Sequence, residues 1–386
     1  MLSRDIQSEF KTLINEYPVV TILGPRQSGK TTLAKKSLPE YEYSNLEDPG
    51  EREFAESDPV AFLNQFKGSV ILDEIQRVPI LLSYIQVRVD KHKVNGEFVL
   101  TGSHQLELNA AITQSLAGRT AIIKLLPFSI HELKQADIFF DHFKDYCFQG
   151  FLPRIYDQNQ RPQKAYANYY QTYVERDVRL LIQLKNVSLF EKFIKLLAGR
   201  AGQLINYQSL ANDVGVDQST IKHWLSILEA SFIIFKLPPY FENFGKRQTK
   251  NPKYYFMDTG LLVYLLDISN PSQITRDPLV GNIFENLVVM DCLKNILNKG
   301  DMGNIYFYRD SNGTEVDLLF QHQGKLVAIE IKSSATFHAS QFNNIEKLQK
   351  ISSQNIKACV VYSGKSKNFS SGKSLLNFTK LHSLFE

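Results

Sequence analysis

The chain has 386 residues, more than one hydrophobic core usually serves, and its 43% of apolar residues allow two or three packed domains. A formal net charge of +4 tolerates nucleic acid as a partner without establishing it. The three cysteines are far apart and lack CxxC spacing, so neither a disulfide framework nor a zinc cluster is indicated. No secretory leader opens the sequence and no apolar run approaches the roughly 18 residues that span a bilayer, so we expect a soluble, cytoplasmic protein with no membrane partner.

A phosphate-binding loop follows the first strand-like run, at 19–23. The next eight residues fit the pattern G-x-x-x-x-G-K-[ST], in which glycines let backbone N–H groups surround phosphates. Lys30 would place a cation between the β and γ oxygens, the Thr31 hydroxyl would bind Mg²⁺, and Thr32 opens a helix whose dipole faces the anion. The sequence therefore predicts a nucleotide site; a glycine-rich turn that matches by accident is the alternative. The predicted binding residues are Gly24, Pro25, Arg26, Gln27, Ser28, Gly29, Lys30, Thr31 and Thr32.

Strand-like runs recur after the loop, with helical patterns between them. They cover residues 41–46, 70–72, 98–101 and 121–125. This alternation predicts a parallel sheet flanked by helices, with ligands at the carboxyl ends of the strands. The expected fold class is α/β, with a P-loop NTPase sheet at its core.

Two carboxylates follow the run at 70–72. We assign Asp73 to Mg²⁺, held through water, and Glu74 as the general base that polarises the attacking water. Acidic pairs after strands also serve as helix caps. Their place beyond a phosphate loop favours the catalytic assignment.

Two further residues are candidates for contact with the γ-phosphate. Ser103 follows a strand expected between the loop strand and the carboxylate strand, and is a candidate sensor of phosphate state. A Thr-Gly-Ser turn before a helix is the alternative. Arg119 ends the helix before the fifth strand, where an arginine can stabilise a neighbouring subunit's γ-phosphate. The alternative there is a cation that satisfies the helix dipole.

Several motifs in a fixed order resemble one protein family. They are the phosphate loop and the segments 72–77, 100–103, 115–119, 126–129, 173–177, 253–261 and 315–317. Together they resemble AAA-type prokaryotic ATPases that carry a C-terminal domain of unknown function, and the resemblance covers essentially the whole chain. It implies ATP binding and hydrolysis with ATP and Mg²⁺ as cofactors, but it does not settle the substrate.

The middle of the chain has the spacing of a helix-turn-helix. A helix over 207–214, a turn at 215–216 and a second helix over 217–228 are predicted, followed by wing strands at 231–237 and 254–257. The second helix has a buried stripe formed by Ile221, Leu225 and Leu228. Outward residues at its start, where base-reading residues lie in such motifs, are Gln218, Ser219, Lys222 and His223.

A basic segment adjoins the second wing strand. Lys246, Arg247, Lys250 and Lys253 suit contacts with DNA phosphates. The alternative is that the winged helix serves as a lid or an oligomer contact, with a solvated basic loop.

A second acidic constellation lies near the C-terminus. A helix over 281–297 carries Glu285, a strand over 316–320 carries Asp317, and a strand over 326–332 carries Glu330 and Lys332 on the same side. We predict that the three carboxylates contribute to a Mg²⁺ site and that Lys332 activates a water or steadies the scissile phosphate.

This constellation resembles the PD-(D/E)xK signature of the restriction-endonuclease-like fold, although residues 315–317 lack the proline. Such domains also persist as inactive modules that hold DNA. Alternating charge on edge strands is the alternative.

We therefore expect three domains: an AAA-type ATPase core at 1–147, a helical lid with a winged helix-turn-helix at 148–270 and a nuclease-like domain at 271–386. The expected function is ATP hydrolysis coupled to action on DNA, which the C-terminal domains bind or cleave. Self-association into a ring-type homo-oligomer is expected, with a hexamer as one candidate. The other function is a nucleotide-driven regulatory switch whose C-terminal domains bind protein partners.

Overall fold

The structure, a computed structural model, describes residues 2–103, 115–178, 187–241 and 250–386, and only the backbone of 175–178. The chain folds into two compact units. The first contains the chain through Phe128 with the segments Ala230–Phe232 and Leu297–Gly300. The second contains Ser129–Glu229, Ile233–Ile296 and Asp301–Glu386. The domain boundaries expected at 147 and 270 remain predictions.

A five-stranded parallel sheet forms the centre of the first unit. Its strands are β1 (Val19–Leu23), β2 (Glu42–Asn45), β3 (Val70–Asp73), β4 (Phe98–Gly102) and β5 (Thr120–Lys124). Their order is β2-β3-β4-β1-β5, so β4 lies between the loop strand and the carboxylate strand, as predicted. Every residue of β1, β3 and β4 is buried, as expected for a parallel sheet covered on both faces.

Helices alternate with these strands along the chain. They are α1 (Gln7–Glu16), α2 (Lys30–Ser37), α3 (Pro49–Ser57), α4 (Pro59–Asn64) and α5 (Leu81–His92). The side chains of Asp48 and Asp58 accept backbone N–H bonds at the N-caps of α3 and α4, and each helix starts with a proline. Phe10 of α1 and Leu33 of α2 pack in the buried core cluster that includes Val20 of β1.

The first part of the second unit is helical. Its helices are α6 (Ile130–Gln135), α7 (Phe143–Gln149), α8 (Pro153–Asp157), α9 (Pro162–Tyr169), a π-helix at Tyr170–Val178, α10 (Val187–Ala198), α11 (Tyr207–Val214), α12 (Gln218–Ala230), α13 (Thr259–Leu265) and α14 (Pro271–Ile274). The two predicted helices of the helix-turn-helix are α11 and α12, joined at Gly215, whose φ of 94° lies in the left-handed region. The two predicted wing strands form an antiparallel pair, β6 (Ile234–Leu237) and β7 (Lys253–Phe256).

A six-stranded mixed sheet forms the last part of the second unit, after the long helix α15 (Val280–Leu297). Its strands are β8 (Ile305–Arg309), β9 (Glu315–His322), β10 (Lys325–Lys332), β11 (Ile356–Tyr362), β12 (Lys367–Asn368) and β13 (Ser374–Asn377). Strands β8, β9 and β10 form an antiparallel meander, and the chain crosses through α16 (Asn343–Ile351) to place β11 parallel to β10. Short 3₁₀ segments lie at Ala339–Phe342 and Phe378–Leu384.

A buried apolar cluster packs against this sheet. Val316, Ala328 and Val360 pack with Ile345 and Leu348 of α16 in one buried cluster. Ala328 lies two residues before Glu330 on β10, so the pleat places both side chains on the same face of the sheet. Among the described helices, none is both long enough and apolar enough to cross a membrane.

Candidate functional site

The phosphate loop lies between β1 and α2, at the carboxyl end of β1. Gly24 has no room for a side chain, because a Cβ there would lie 2.1 Å from the carbonyl oxygen of Leu125. Gly29 has a φ of 93°, a conformation that favours glycine. The Lys30 ammonium is buried and donates to the carbonyl oxygens of Gly24 and Pro25 at 3.1 and 2.9 Å. The loop thus holds a cation against its own backbone, where the sequence predicts the phosphates.

The remaining loop residues complete this cradle. The Ser28 hydroxyl is buried and has no hydrogen-bond partner among the described residues, which suits a loop that wraps around a polar ligand. The Arg4 guanidinium donates to the carbonyl oxygen of Ser28 at 2.8 Å and supports the loop from outside. Arg26 forms an ion pair with Glu47 at 3.6 Å, and Thr32 lies in the first turn of α2.

The Asp73 carboxylate, at the end of β3, accepts hydrogen bonds from the phosphate loop and from both neighbouring strands. The Thr31 hydroxyl donates to its two carboxylate oxygens at 3.0 and 2.9 Å, and the Tyr43 hydroxyl donates to Oδ2 at 3.0 Å. The Thr101 hydroxyl donates to Oδ1. Because β2 and β4 flank β3, Tyr43 and Thr101 approach Asp73 from either side. Hydroxyl and carboxylate oxygens are the ligands that Mg²⁺ prefers, so Thr31 and Asp73 fit the predicted metal.

Glu74 is held in a strained backbone conformation beside this cluster. Its φ and ψ are 58° and 47°, in the left-handed region, and its backbone N–H donates to the Thr101 hydroxyl at 3.1 Å. The Ser103 hydroxyl donates to Glu74 Oε2 at 3.0 Å. The Gln76 amide donates to the same oxygen and to the Ser103 hydroxyl, the latter at 3.2 Å. The predicted base and the predicted sensor are therefore in direct contact.

The carboxylates Asp73 and Glu74 affect the pKa values of both Lys30 and Tyr43. Burial lowers the pKa of the Lys30 ammonium, whereas the Glu74 and Asp73 carboxylates act in the opposite direction. Burial and the neighbouring Asp73 raise the pKa of Tyr43, so that its hydroxyl remains a neutral donor at ordinary pH.

Arg119 has a partner within its own chain. Its guanidinium forms a two-pronged ion pair with Asp90 of α5, at 2.6 and 2.8 Å, and precedes the edge strand β5. A contact with a neighbouring subunit's phosphate would therefore have to replace Asp90. Most of the helix predicted before Arg119 lies outside the described residues.

The second acidic constellation is also assembled, on β9 and β10. The backbone N–H of Ile331 donates to Asp317 Oδ2 at 2.7 Å. The Lys332 ammonium donates to Glu330 Oε1 at 2.8 Å and lies 3.8 Å from Asp317 Oδ2. Glu330 Oε2 is buried and has no hydrogen-bond partner among the described residues. This orphaned oxygen beside a second carboxylate fits the predicted divalent cation.

Burial sets the ionisation of this group. Burial and the adjacent Asp317 carboxylate raise the pKa of Glu330 to about 7, against the opposing effect of Lys332. Burial acts to lower the pKa of Lys332, but the Asp317 and Glu330 carboxylates outweigh it and the pKa is raised.

Glu285 lies in the same cluster, but protein groups already contact its Oε1 atom. The Lys253 ammonium lies 2.9 Å from Glu285 Oε1, and the Tyr255 hydroxyl donates to that oxygen at 2.6 Å. Lys253 also lies 2.7 Å from Glu315 Oε1, while Arg309 pairs with the second oxygen of Glu315 at 2.7 Å. Burial acts to lower the pKa of Lys253, but Glu285 and its neighbouring carboxylates outweigh burial and raise it.

These contacts correct one sequence prediction. Lys253 is 2% exposed and its ammonium is paired inside the protein, so it is not part of a basic surface for DNA phosphates. Lys250 is exposed, and Lys246 and Arg247 lie outside the described residues.

The outer face of α12 matches its predicted pattern. Ile221, Leu225 and Leu228 are buried. Ser219, Lys222 and His223 are exposed and Gln218 is half-buried.

Sequence reasoning missed the residues that hold these groups in place. Gln76 stands two residues after Glu74 and Thr101 stands two residues before Ser103, and this nearness in sequence to predicted site residues is the available signal. The strand pattern does not predict which carboxylates accept hydrogen bonds from Tyr43 and Tyr255. The sequence predicts Lys253 on the surface because its neighbours along the chain are basic.

Comparison with known families divides the chain into three matched regions. Residues 16–134 match the AAA domain, residues 140–272 match a domain of unknown function, DUF8612, and residues 280–381 match a domain of unknown function, DUF4143. The first match covers the phosphate loop, Asp73, Glu74, Ser103 and Arg119. The acidic cluster on β9 and β10 lies in the third match.

Two relatives match most of the chain, and both carry the name uncharacterized protein. The chain is 30% identical to the uncharacterized protein Rv2008c of Mycobacterium tuberculosis over 339 residues, covering 86% of this chain and 74% of that protein. It is 22% identical to an uncharacterized protein of Haemophilus influenzae, covering 73% and 70% of the two chains. Among solved structures, the Walker-type ATPase PABY2304 of Pyrococcus abyssi aligns with a TM-score of 0.46 and 14% identity, covering 69% of this chain and 96% of that one. Because the nucleotide loop lies inside an AAA domain and the identity extends across most of both chains, the protein is an AAA-type ATPase and belongs to the same family as the uncharacterized protein Rv2008c.

Proposed function

We propose that this protein is a Mg²⁺-dependent AAA-type ATPase that acts on DNA, and that its C-terminal sheet is a nuclease-like module that holds DNA and cuts it. The observation that carries the DNA part is the cluster on β9 and β10. There Asp317, Glu330 and Lys332 meet, and one buried carboxylate oxygen is left without a partner among the described residues.

The nucleotide chemistry follows from the first unit. Lys30 and the loop N–H groups hold the phosphates, Thr31 and Asp73 hold Mg²⁺, and Glu74 takes the proton from the attacking water. A Mg²⁺ ion held by Thr31 and Asp73 would supply charge stabilisation to the phosphates. Ser103, bonded to Glu74, is in place to respond when the γ-phosphate leaves.

The order of elements supports the nuclease-like assignment. Helix α15, the meander β8–β9–β10, helix α16 and the parallel strand β11 follow one another, and the acidic residues lie on the second and third strands of the meander. Asp317 and Glu330 would hold a divalent cation, which would supply Lewis-acid chemistry at the phosphate, and Lys332 would contact the scissile phosphate. The exposed face of α12 supplies a second surface suited to DNA.

The first experiment measures ATPase rate with and without duplex, branched and single-stranded DNA, and DNA affinity as a function of salt. Neutralised phosphates make affinity fall steeply with salt, so DNA binding predicts a strong negative slope. Lys222→Ala is expected to reduce that slope by about one. DNA affinity that does not depend on salt, with an unchanged ATPase rate, contradicts the DNA role and favours the nucleotide-driven switch with protein partners.

The second experiment separates the two sites. Asp317→Ala is expected to remove Mg²⁺- or Mn²⁺-dependent DNA cleavage and leave ATP hydrolysis intact, whereas cleavage persists in Lys30→Ala or loses only its ATP stimulation. Lys325→Ala, at the exposed start of β10, is the matched control. If no DNA is cut but Asp317→Ala weakens DNA binding, the domain holds DNA without cleaving it. If neither changes, the DNA role of this domain is wrong.

Self-association is part of the same proposal. Arg119 stands before the edge strand of the first sheet, and a trans contact would exchange its Asp90 partner for a neighbour's γ-phosphate. A ring-type homo-oligomer provides such neighbours.

A further inference from the structure

The buried ammonium of Lys253 contacts carboxylate oxygens that a metal-dependent nuclease-like site would offer to a metal ion. Lys253 is 2% exposed and lies within 3 Å of both Glu285 and Glu315, at 2.9 and 2.7 Å. It begins β7, far along the chain from the strands that carry Asp317 and Glu330. The helix-turn-helix region thus supplies a cation to the acidic cluster of the C-terminal sheet.

The backbone around Lys253 is fixed from several sides. The Asn286 side chain, next to Glu285 on α15, accepts from the Phe256 N–H and donates to the Phe256 carbonyl, both at 2.8 Å. Tyr255 is two residues from Lys253, so both side chains leave the strand on one side and both reach Glu285 Oε1. The ammonium therefore has a set position that requires no bound ligand.

The distribution of partners divides the acidic cluster into two halves. Glu285 receives Lys253 and Tyr255, and Glu315 receives Lys253 and Arg309. In the other half, Glu330 Oε2 is buried and has no partner among the described residues. Lys253 pairs with Glu285 and Glu315, and Arg309 pairs with Glu315. Lys332 pairs with Glu330 and Asp317.

We propose that Lys253 is a built-in cation that occupies the Glu285 and Glu315 half of this cluster and restricts the site to a single divalent ion, held by Asp317 and Glu330. Glu285 is then a partner of Lys253 and not a metal ligand. A second divalent ion beside the ammonium would meet strong like-charge repulsion at low local dielectric. The inference rests on the proposed metal site and adds its stoichiometry and the residue that sets it.

The test counts Mn²⁺ ions bound to the full chain without nucleotide, by the electron paramagnetic resonance signal of free Mn²⁺. Every variant is compared with its parent in the same Lys30→Ala background, so that a difference in the count reports the substituted residue. Lys253→Met is expected to bind one more Mn²⁺ per chain than its parent, and adding Glu285→Gln is expected to abolish that gain. Lys250→Met, an exposed lysine just before β7, is the control and leaves the count unchanged. No gain in folded Lys253→Met overturns the inference.

A second comparison keeps Lys253 in place and serves if Lys253→Met does not fold. Asp317→Asn is expected to lose one Mn²⁺ per chain, whereas Glu285→Gln keeps the parental count. If Glu285→Gln loses Mn²⁺ as Asp317→Asn does, Glu285 is a ligand and only the role of Lys253 is wrong. A parent that binds no Asp317-dependent Mn²⁺ refutes the proposed metal site, and with it the single-ion stoichiometry. A parent that binds two Asp317-dependent ions refutes the stoichiometry alone.

Discussion

Replacing Glu74 by glutamine tests the central assignment of the nucleotide site. The substitution keeps the length of the side chain and an oxygen that can accept from Ser103 and from the Gln76 amide. It removes the group that takes a proton from water. Because the left-handed backbone at residue 74 and its hydrogen bond to Thr101 are unchanged, the geometry of the loop should survive.

The expected loss follows from the role of a general base, which contributes about 10²–10⁴-fold to rate. That range corresponds to about 3–5 kcal/mol of transition-state stabilisation. Nucleotide affinity should change little, because Lys30 and the loop backbone hold the phosphates. Glu74→Gln is therefore expected to bind ATP like the parent and to turn it over far more slowly.

The assay combines single-turnover ATP hydrolysis with binding of a fluorescent ATP analogue. Glu56→Gln, an exposed carboxylate on α3, is the control for loss of one negative charge in the same unit. Lys30→Ala should lose nucleotide binding or hydrolysis. Measuring both steps distinguishes it from Glu74→Gln, which should lose only hydrolysis. A Glu74→Gln protein that hydrolyses ATP at the parental rate would refute the base assignment.

Three further outcomes are expected. Gly24→Ala should lower the melting temperature and weaken nucleotide binding, because its Cβ would lie 2.1 Å from a backbone oxygen, a clash of the kind that typically costs about 1–3 kcal/mol. Gly68→Ala, whose Cβ would have no atom of the described residues within 4 Å, should be near neutral by comparison. Burial raises the pKa of Asp291 to about 6, so ionising it costs stability: its contribution is present below the ordinary pKa near 3.8 and is lost as the pH rises through about 6, by about 3 kcal/mol in total. Asp291→Asn, whose oxygen can still accept from the Ile130 N–H, should flatten urea stability between pH 4.5 and 7.5, whereas the exposed Asp141→Asn should not; equal pH dependence in all three proteins would contradict this reasoning. Mixing Arg119→Ala subunits with Lys30→Ala subunits should restore part of the ATPase activity at mixed interfaces, and a monomer in sedimentation with no restoration would argue against a trans arginine.

The nucleotide loop could be predicted from sequence because its chemistry is local. Backbone N–H groups, a lysine and a hydroxyl must follow one another within a single turn between strand and helix, so their order is visible in eight consecutive residues. The carboxylates Asp73 and Glu74 were visible for a similar reason, since they end a buried strand. The two-residue period of a strand likewise placed Glu330 and Lys332 on one side.

The partners of these groups depended on tertiary structure. Tyr43 and Thr101 contact Asp73 only because β2 and β4 flank β3, and no local pattern specifies that order. Arg119 reads as a free cation in sequence, yet α5 brings Asp90 against it. Lys253 belongs to a basic stretch of sequence, but β7 carries it among the carboxylates of α15 and β9. The sequence determines which charges exist, whereas the packing of elements distant in the chain determines which of them share a buried, low-dielectric site and so neutralise one another.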